Sequence, residues 1–256
     1  MVSGLKEKWL LLERNLSTRD DFIKTGVDAL RNNLTNGKYY ICADFSPADL
    51  RTFTGIITRI QINEKRCMVY IGATDNANNG FADQTSPHTY VIYVRMKELE
   101  SIGRLWAEFA VKNNLDPKHV DVSKLKETNP QAYTQFNEIV DLDGIMFNFS
   151  NPNWHTVYHE LAHIFDYEQK NMNGYEHKKD WNKRSHEVTA EVSALVRMLS
   201  NEFGSKEQLE AEWPNTRVGY DNIINTYLHG EMQLADRKNL LKKLFQVRDH
   251  LLKTLA

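Results

Sequence analysis

Hydrophobic positions along this chain change their period as it proceeds, and the change divides it into regions. Residues 5–34 place apolar side chains at helical spacing and predict one or two amphipathic helices. Ile56–Ile62 and Cys67–Ile71 then read as the two arms of a hairpin around Asn63-Glu64-Lys65-Arg66. The polar stretch Ala73–His88, with Asn78-Asn79-Gly80 inside it, predicts a loop. Tyr90–Met96 is a nearly continuous apolar, β-branched run, the pattern of a strand covered on both faces. Beyond it Leu99, Ile102, Leu105, Trp106 and Phe109 recur at helical spacing. A second helix is expected from Asn129-Pro130, carrying Phe136, Ile139 and Val140, and a short strand at Ile145–Phe149 follows the Asp143-Gly144 turn. From Pro152 onward the pattern is mostly helical, including a terminal helix in Glu231–Leu255. That helix is expected to pack through Leu234, Leu240, Leu241, Leu244, Phe245 and Val247, with Lys238, Lys242 and Lys243 on a solvated face. Strands first and helices later predict an α+β fold.

Composition narrows the function classes. The 256 residues are 41% hydrophobic and 26% charged, so the chain has the makings of a packed core rather than a disordered tail. Lys+Arg of 32 against Asp+Glu of 34 gives a net charge of −2, which predicts no general affinity for nucleic acid. No run approaches the about 18 apolar residues that a membrane-spanning helix needs. The N-terminus lacks the apolar core of a secretory signal, so the expectation is a soluble protein, cytoplasmic or delivered by a non-Sec route. Only two cysteines occur, Cys42 and Cys67, both in strand-like surroundings that predict reduced, buried thiols. A metal site in one such chain must therefore be built from nitrogen and oxygen.

The chemistry concentrates in Asn151–Asp166. Asn151 followed by Pro152 predicts a capped helix start, and Val157, Leu161, Ile164 and Phe165 give the helix an apolar stripe. His159 and His163 are four apart, so both imidazoles leave the same face one turn apart, able to occupy adjacent corners of a tetrahedral zinc site. Glu160 is rotated about 100° from His159 and can reach a water at the metal without being a ligand. The segment is an H-E-x-x-H motif. A third ligand is still needed. The arrangement with a further His shortly after the motif fails, because Gln169 stands at that position. A second helix, starting near Asp180 or Ser185 and closed by Gly204, offers Glu187 and Glu191 on one face among Val, Ala and Leu. Glu187 is assigned as third ligand and Glu191 as the partner that orients a ligand; the two roles are interchangeable at this level. Asp166, three residues past His163, is positioned to accept the distal N–H of a ligand imidazole.

These residues carry a family resemblance over roughly 150–200. His-Glu-Leu-Ala-His-Ile-Phe-Asp followed by Glu-Val-Thr-Ala-Glu is similar to the gluzincin metallopeptidases, most of all to the catalytic domains of the anthrax lethal factor family with its proline-specific endopeptidases. The resemblance implies a zincin-like domain with a small twisted sheet and an active-site helix. That domain is expected to occupy 1–256 as one catalytic domain, divisible into an α/β part at 1–140 and a helical zinc-binding part at 141–256. The resemblance also implies a zinc-dependent endopeptidase acting on a protein or peptide substrate, possessing Zn2+, and of toxin or effector type. Glu160 would take the proton from the attacking water, His159, His163 and Glu187 would hold zinc, and Asp166 and Glu191 would orient them. That family places a transition-state Tyr seven residues before the ligand Glu, where this chain has Asp180; Tyr175, His177, His186 and Tyr220 stand as alternatives. An extended substrate would pair with an edge strand, for which Ile145–Phe149 or part of 56–71 qualifies. Two rival functions use the same residues: hydrolysis of a non-peptide amide, and a non-catalytic binding module with a relic site. The oligomeric state is not encoded in any of these patterns.

Overall fold

The computed structural model describes residues 2–45, 53–74, 80–116, 120–139, 153–169, 181–213 and 234–255. Its architecture is α+β, with eight helices and a mixed six-stranded sheet among those residues, and helix predominates. The chain divides into two compact units: Thr25–Asn148, and Met1–Lys24 together with Phe149–Ala256. Helix α1 (Val2–Thr35) contributes to both.

The first unit is built on the sheet. Strands β1 (Tyr40–Phe45), β2 (Phe53–Ile62), β3 (Lys65–Thr74), β4 (Gly80–Ser86), β5 (Thr89–Arg95) and β6 (Val120–Asp121) lie in the order β4-β5-β3-β2-β1-β6. All neighbours are antiparallel except β3 and β5. The hairpin β2–β3 closes through Asn63-Glu64, with Ile62 opposite Lys65 and Asn63 in the left-handed region at φ 55°. Gly55 and Gly72 face each other in this ladder; a Cβ on Gly55, whose φ is 153°, would stand 2.3 Å from the Ile71 carbonyl oxygen. Only glycine fits that approach. Helix α2 (Lys97–Lys112) lies on β1, β2 and β3, and Gly103 meets Thr54 so closely that a Cβ there would clash at 2.3 Å. Its buried stripe of Leu99, Gly103, Trp106, Phe109 and Ala110 follows the helical period, and Trp106 stacks edge-on against Phe136 of α4 (Pro130–Ile139) at 4.7 Å. A short helix α3 (Val122–Thr128) buries Val122 and Leu125.

Two expectations need correction here, and one position of a helix that forms as expected is exposed. The stretch 73–88 is not a loop throughout: β3 runs to Thr74, and Gly80–Ser86 forms β4. As an edge strand β4 is paired on one side only and is half-covered or exposed along its length, so its polar sequence carries no apolar alternation to betray it. Residues 56–71 offer no free edge, since β2 is hydrogen-bonded to β1 and β3, and β3 to β2 and β5. Leu105 is 43% exposed, because it is set 240° around α2 from Leu99, off the buried stripe. Ile145–Phe149 and Val140 lie outside the described residues, as does the side chain of Ile102.

The second unit is helical. Helix α5 (Asn153–Gln169) is buried on nearly every side from Trp154 to Asp166. Helix α6 (Trp181–Glu202) packs against it, and the far side of α6 joins a core with α7 (Lys206–Glu212) and α8 (Leu234–Thr254). That core contains Val192, Leu195, Val196, Leu199, Phe203, Leu209, Trp213, Leu244, Val247 and Leu251. The terminal helix is packed through Leu244 and Val247, Phe245 is 58% exposed and Lys243 is half-buried rather than solvated, while the side chains of Leu234, Lys238, Leu240, Leu241 and Lys242 lie outside the described residues. Burial and the nearby Arg19 charge pull the Lys243 ammonium below its ordinary pKa. No described helix is long and apolar enough to cross a membrane.

Candidate metal centre

Two helices supply the site. Heptad-like burial of Trp154, Val157, Tyr158, Leu161, Ile164 and Phe165 seats α5, leaving the face of His155, His159 and His163 turned to α6. On α6, Val188, Val192 and Leu195 are buried, while Glu187 and Glu191, one turn apart, meet the histidines. Glu187 Oε2 lies 3.1 Å from His159 Nε2 and 3.3 Å from His163 Nε2, and the two Nε2 atoms are 2.9 Å apart. His159 Nδ1 and His155 Nε2 approach the two oxygens of Glu191 at 3.1 and 2.8 Å. Those last two contacts are short but misaligned, and neither meets hydrogen-bond geometry.

Among the described residues His159, His163 and Glu187 form a group able to hold a metal ion, each offering one ligand atom and all within 4.8 Å of one another. Two imidazole nitrogens and one carboxylate oxygen are donors that suit a borderline divalent metal ion. Glu187 is the exposed member of the group: its side chain is 42% exposed, against 13% for His159 and 10% for His163.

Burial and charge decide how each group holds protons. Glu160 is buried, and burial pushes its carboxyl up to about 7 against the pull of the His159 charge, with Glu187 and Glu191 adding to the rise. Burial works against a charged His159, but Glu191, Glu187 and Glu160 outweigh it and hold its proton well above the usual imidazole range. His163 is lowered, first by burial, in spite of its contact with Glu187. Glu187 and Glu191 both lie well below the ordinary carboxylate range: burial opposes this, and the facing histidines overcome it.

The structure brings together five of the residues singled out from sequence: His159, Glu160, His163, Glu187 and Glu191. Asp166 is buried, and its Oδ1 accepts from Arg19 Nη2 of α1 at 2.6 Å while its charge favours a protonated His163. Tyr175, His177 and Tyr220, and the side chain of His186, lie outside the described residues. His155 was missed by sequence reasoning, although its place four residues before His159 puts it on the motif face. No protein-family model matches the chain, and no curated protein or solved structure matches it either.

Proposed function

We propose that this protein is a zinc-dependent endopeptidase of the zincin-like class, similar in its site to the gluzincins. The observation that carries the reading is the convergence of His159 Nε2, His163 Nε2 and Glu187 Oε2 within 4.8 Å, with the buried carboxyl of Glu160 on the same helix as both histidines. The burial of the helix that bears the motif supports the reading.

A zinc ion held by these three residues would supply Lewis-acid polarisation of the scissile carbonyl and of the attacking water. Everything else falls to the chain. Glu160, poised near neutrality, accepts the water's proton and returns it to the leaving amine; a base near the working pH serves both directions. Glu191 lies 3.1 Å from His159 Nδ1, where its charge favours a proton on that nitrogen and leaves Nε2 for the metal. The exposed side of Glu187 is where the substrate's carbonyl would enter. Glu160→Gln tests the reading: zinc content measured by mass spectrometry should stay at one per chain, while cleavage falls about 10²–10⁴-fold. New termini found by proteomics of a lysate treated with the wild type should be absent with the variant. Retained cleavage in Glu160→Gln would refute the assignment.

A further inference from the structure

Adjacent residues of opposite charge on α1, Arg19 and Asp20, each reach one of the two helices that carry the site. Arg19 Nη2 donates to Asp166 Oδ1 at 2.6 Å, three residues past His163 on α5. Its guanidinium also lies 5.3 Å over the Phe165 ring, against which Phe22 packs at 5.5 Å. Asp20 turns the other way. Its Oδ2 accepts from Arg197 Nη2 at 2.6 Å and its Oδ1 meets Arg197 Nε, on α6 six residues past Glu191. His250 Nε2 of α8 lies 3.5 Å from the same Oδ2. Asp20, Asp166 and His250 are buried, and the side chains of Arg19 and Arg197 are 11% and 17% exposed.

We propose that Arg19 and Asp20 are positioning residues that set the register of α5 against α6 and so bring the three ligand atoms together. The inference rests on the metal-centre reading above. Consecutive helical positions diverge by about 100°, so one turn of α1 can address both helices at once. Buried ion pairs are poor sources of net stability, and their best-attested use is to specify register. Here the signs are crossed: α5 presents an anion to Arg19, and α6 presents a cation to Asp20. A slip of either helix would leave a buried charge unpaired. The 3.1 and 3.3 Å contacts of Glu187 with the two histidines depend on that same register. The contacts of α1 therefore act on the metal centre without touching it.

The test compares Arg19→Gln and Asp20→Asn with Leu209→Ala, a cavity in the same core made on α7, which carries none of the clamp residues. Zinc affinity is measured by chelator competition and the cobalt(II) spectrum is recorded, both well below each variant's unfolding temperature. The histidine ring nitrogens are followed by NMR in the metal-free protein. The clamp variants should lose about 10- to 100-fold in zinc affinity. They should also alter the cobalt spectrum and move the ring signals of His159 and His163. Leu209→Ala should change affinity less than about twofold, and Arg19→Lys should recover part of the loss. If a neutral variant does not fold, Arg19→Lys and Asp20→Glu, which keep the charges and change the reach, take its place with the same expected direction. Unmoved ring signals and wild-type affinity in the clamp variants would overturn the proposal. A wild type that binds no zinc would instead defeat the metal-centre reading, and the ring signals would still decide the clamp.

Discussion

The two units bury different things. Of the nine buried polar or charged residues among those described, the sheet unit has Thr58 and Lys65, and the helical unit has Asp20, His155, Glu160, His163, Asp166, Ser193 and His250. The sheet unit spends its interior on packing. Phe53, Tyr70, Tyr93 and Phe81 meet ring to ring, and Thr58 settles its hydroxyl on the Lys38 carbonyl at 2.8 Å. In the helical unit, burial instead holds titratable groups against one another, which costs stability and shifts their proton affinities. The lesson is that the composition of the interior, rather than the size of the core, sets apart the half that carries the candidate metal centre.

That contrast can be broken by measurement. The largest effect should come from His163→Ala, which removes one of three donors and should lower zinc affinity by at least about 100-fold. Isothermal titration calorimetry reads it, and undiminished binding would place the metal elsewhere.

In the sheet unit the matching large effect is on stability alone. Trp106 is fully buried, so Trp106→Ala should lower the unfolding free energy by about 3–5 kcal/mol in urea denaturation. A change below about 1 kcal/mol would mean that the α2–α4 aromatic contact contributes little.

A third prediction concerns the cost of the site. Folded, Glu160 keeps its proton up to about 7, against an ordinary value of 4.5. The folded state therefore binds an extra proton between those two pH values. Stability contributed by the protonated form is lost as pH rises through that window, and above 7 the ionised carboxylate costs about 3 kcal/mol. Metal-free Glu160→Gln should accordingly be more stable than wild type at pH 8 and no more stable at pH 4. Equal stabilities at pH 8 would show that the carboxylate is comfortable where it lies. The depressed Glu187 and Glu191 act in the opposite sense: their contribution is present above about 4.5 and fades as pH falls below it.

The smallest effect belongs to the thiols of the sheet unit. Burial pushes both Cys42 and Cys67 up to about 12, so at pH 8 roughly one molecule in 10⁴ is thiolate. A chromogenic disulfide reagent should find no reactive thiol until denaturant is added, and then two.

What could be read from sequence follows the range of the interactions involved. The motif helix was legible because i, i+4 spacing alone puts His159 and His163 on one face, and the same holds for Glu187 and Glu191 on the next helix. The β2–β3 hairpin was legible because two apolar runs flank one short polar connection, although its turn is Asn63-Glu64 alone rather than the four residues read from sequence. Strand β4 was not, because an edge strand with half-covered faces has no hydrophobic alternation to show. His155 carried the right spacing, yet a third histidine acquires meaning only when Glu191 is found facing it.

The sequence by itself determined which side chains share a helix face, since the α-helical repeat is a property of the local backbone. It could say that two histidines and two glutamates would each present as a pair. Which pair met which atom was decided only by tertiary structure: Glu187 on both Nε2 atoms, Glu191 on His155 and His159, Asp166 on Arg19 from 147 positions away. Such partnerships depend on the packing of α1, α5 and α6, a long-range outcome that no periodicity encodes.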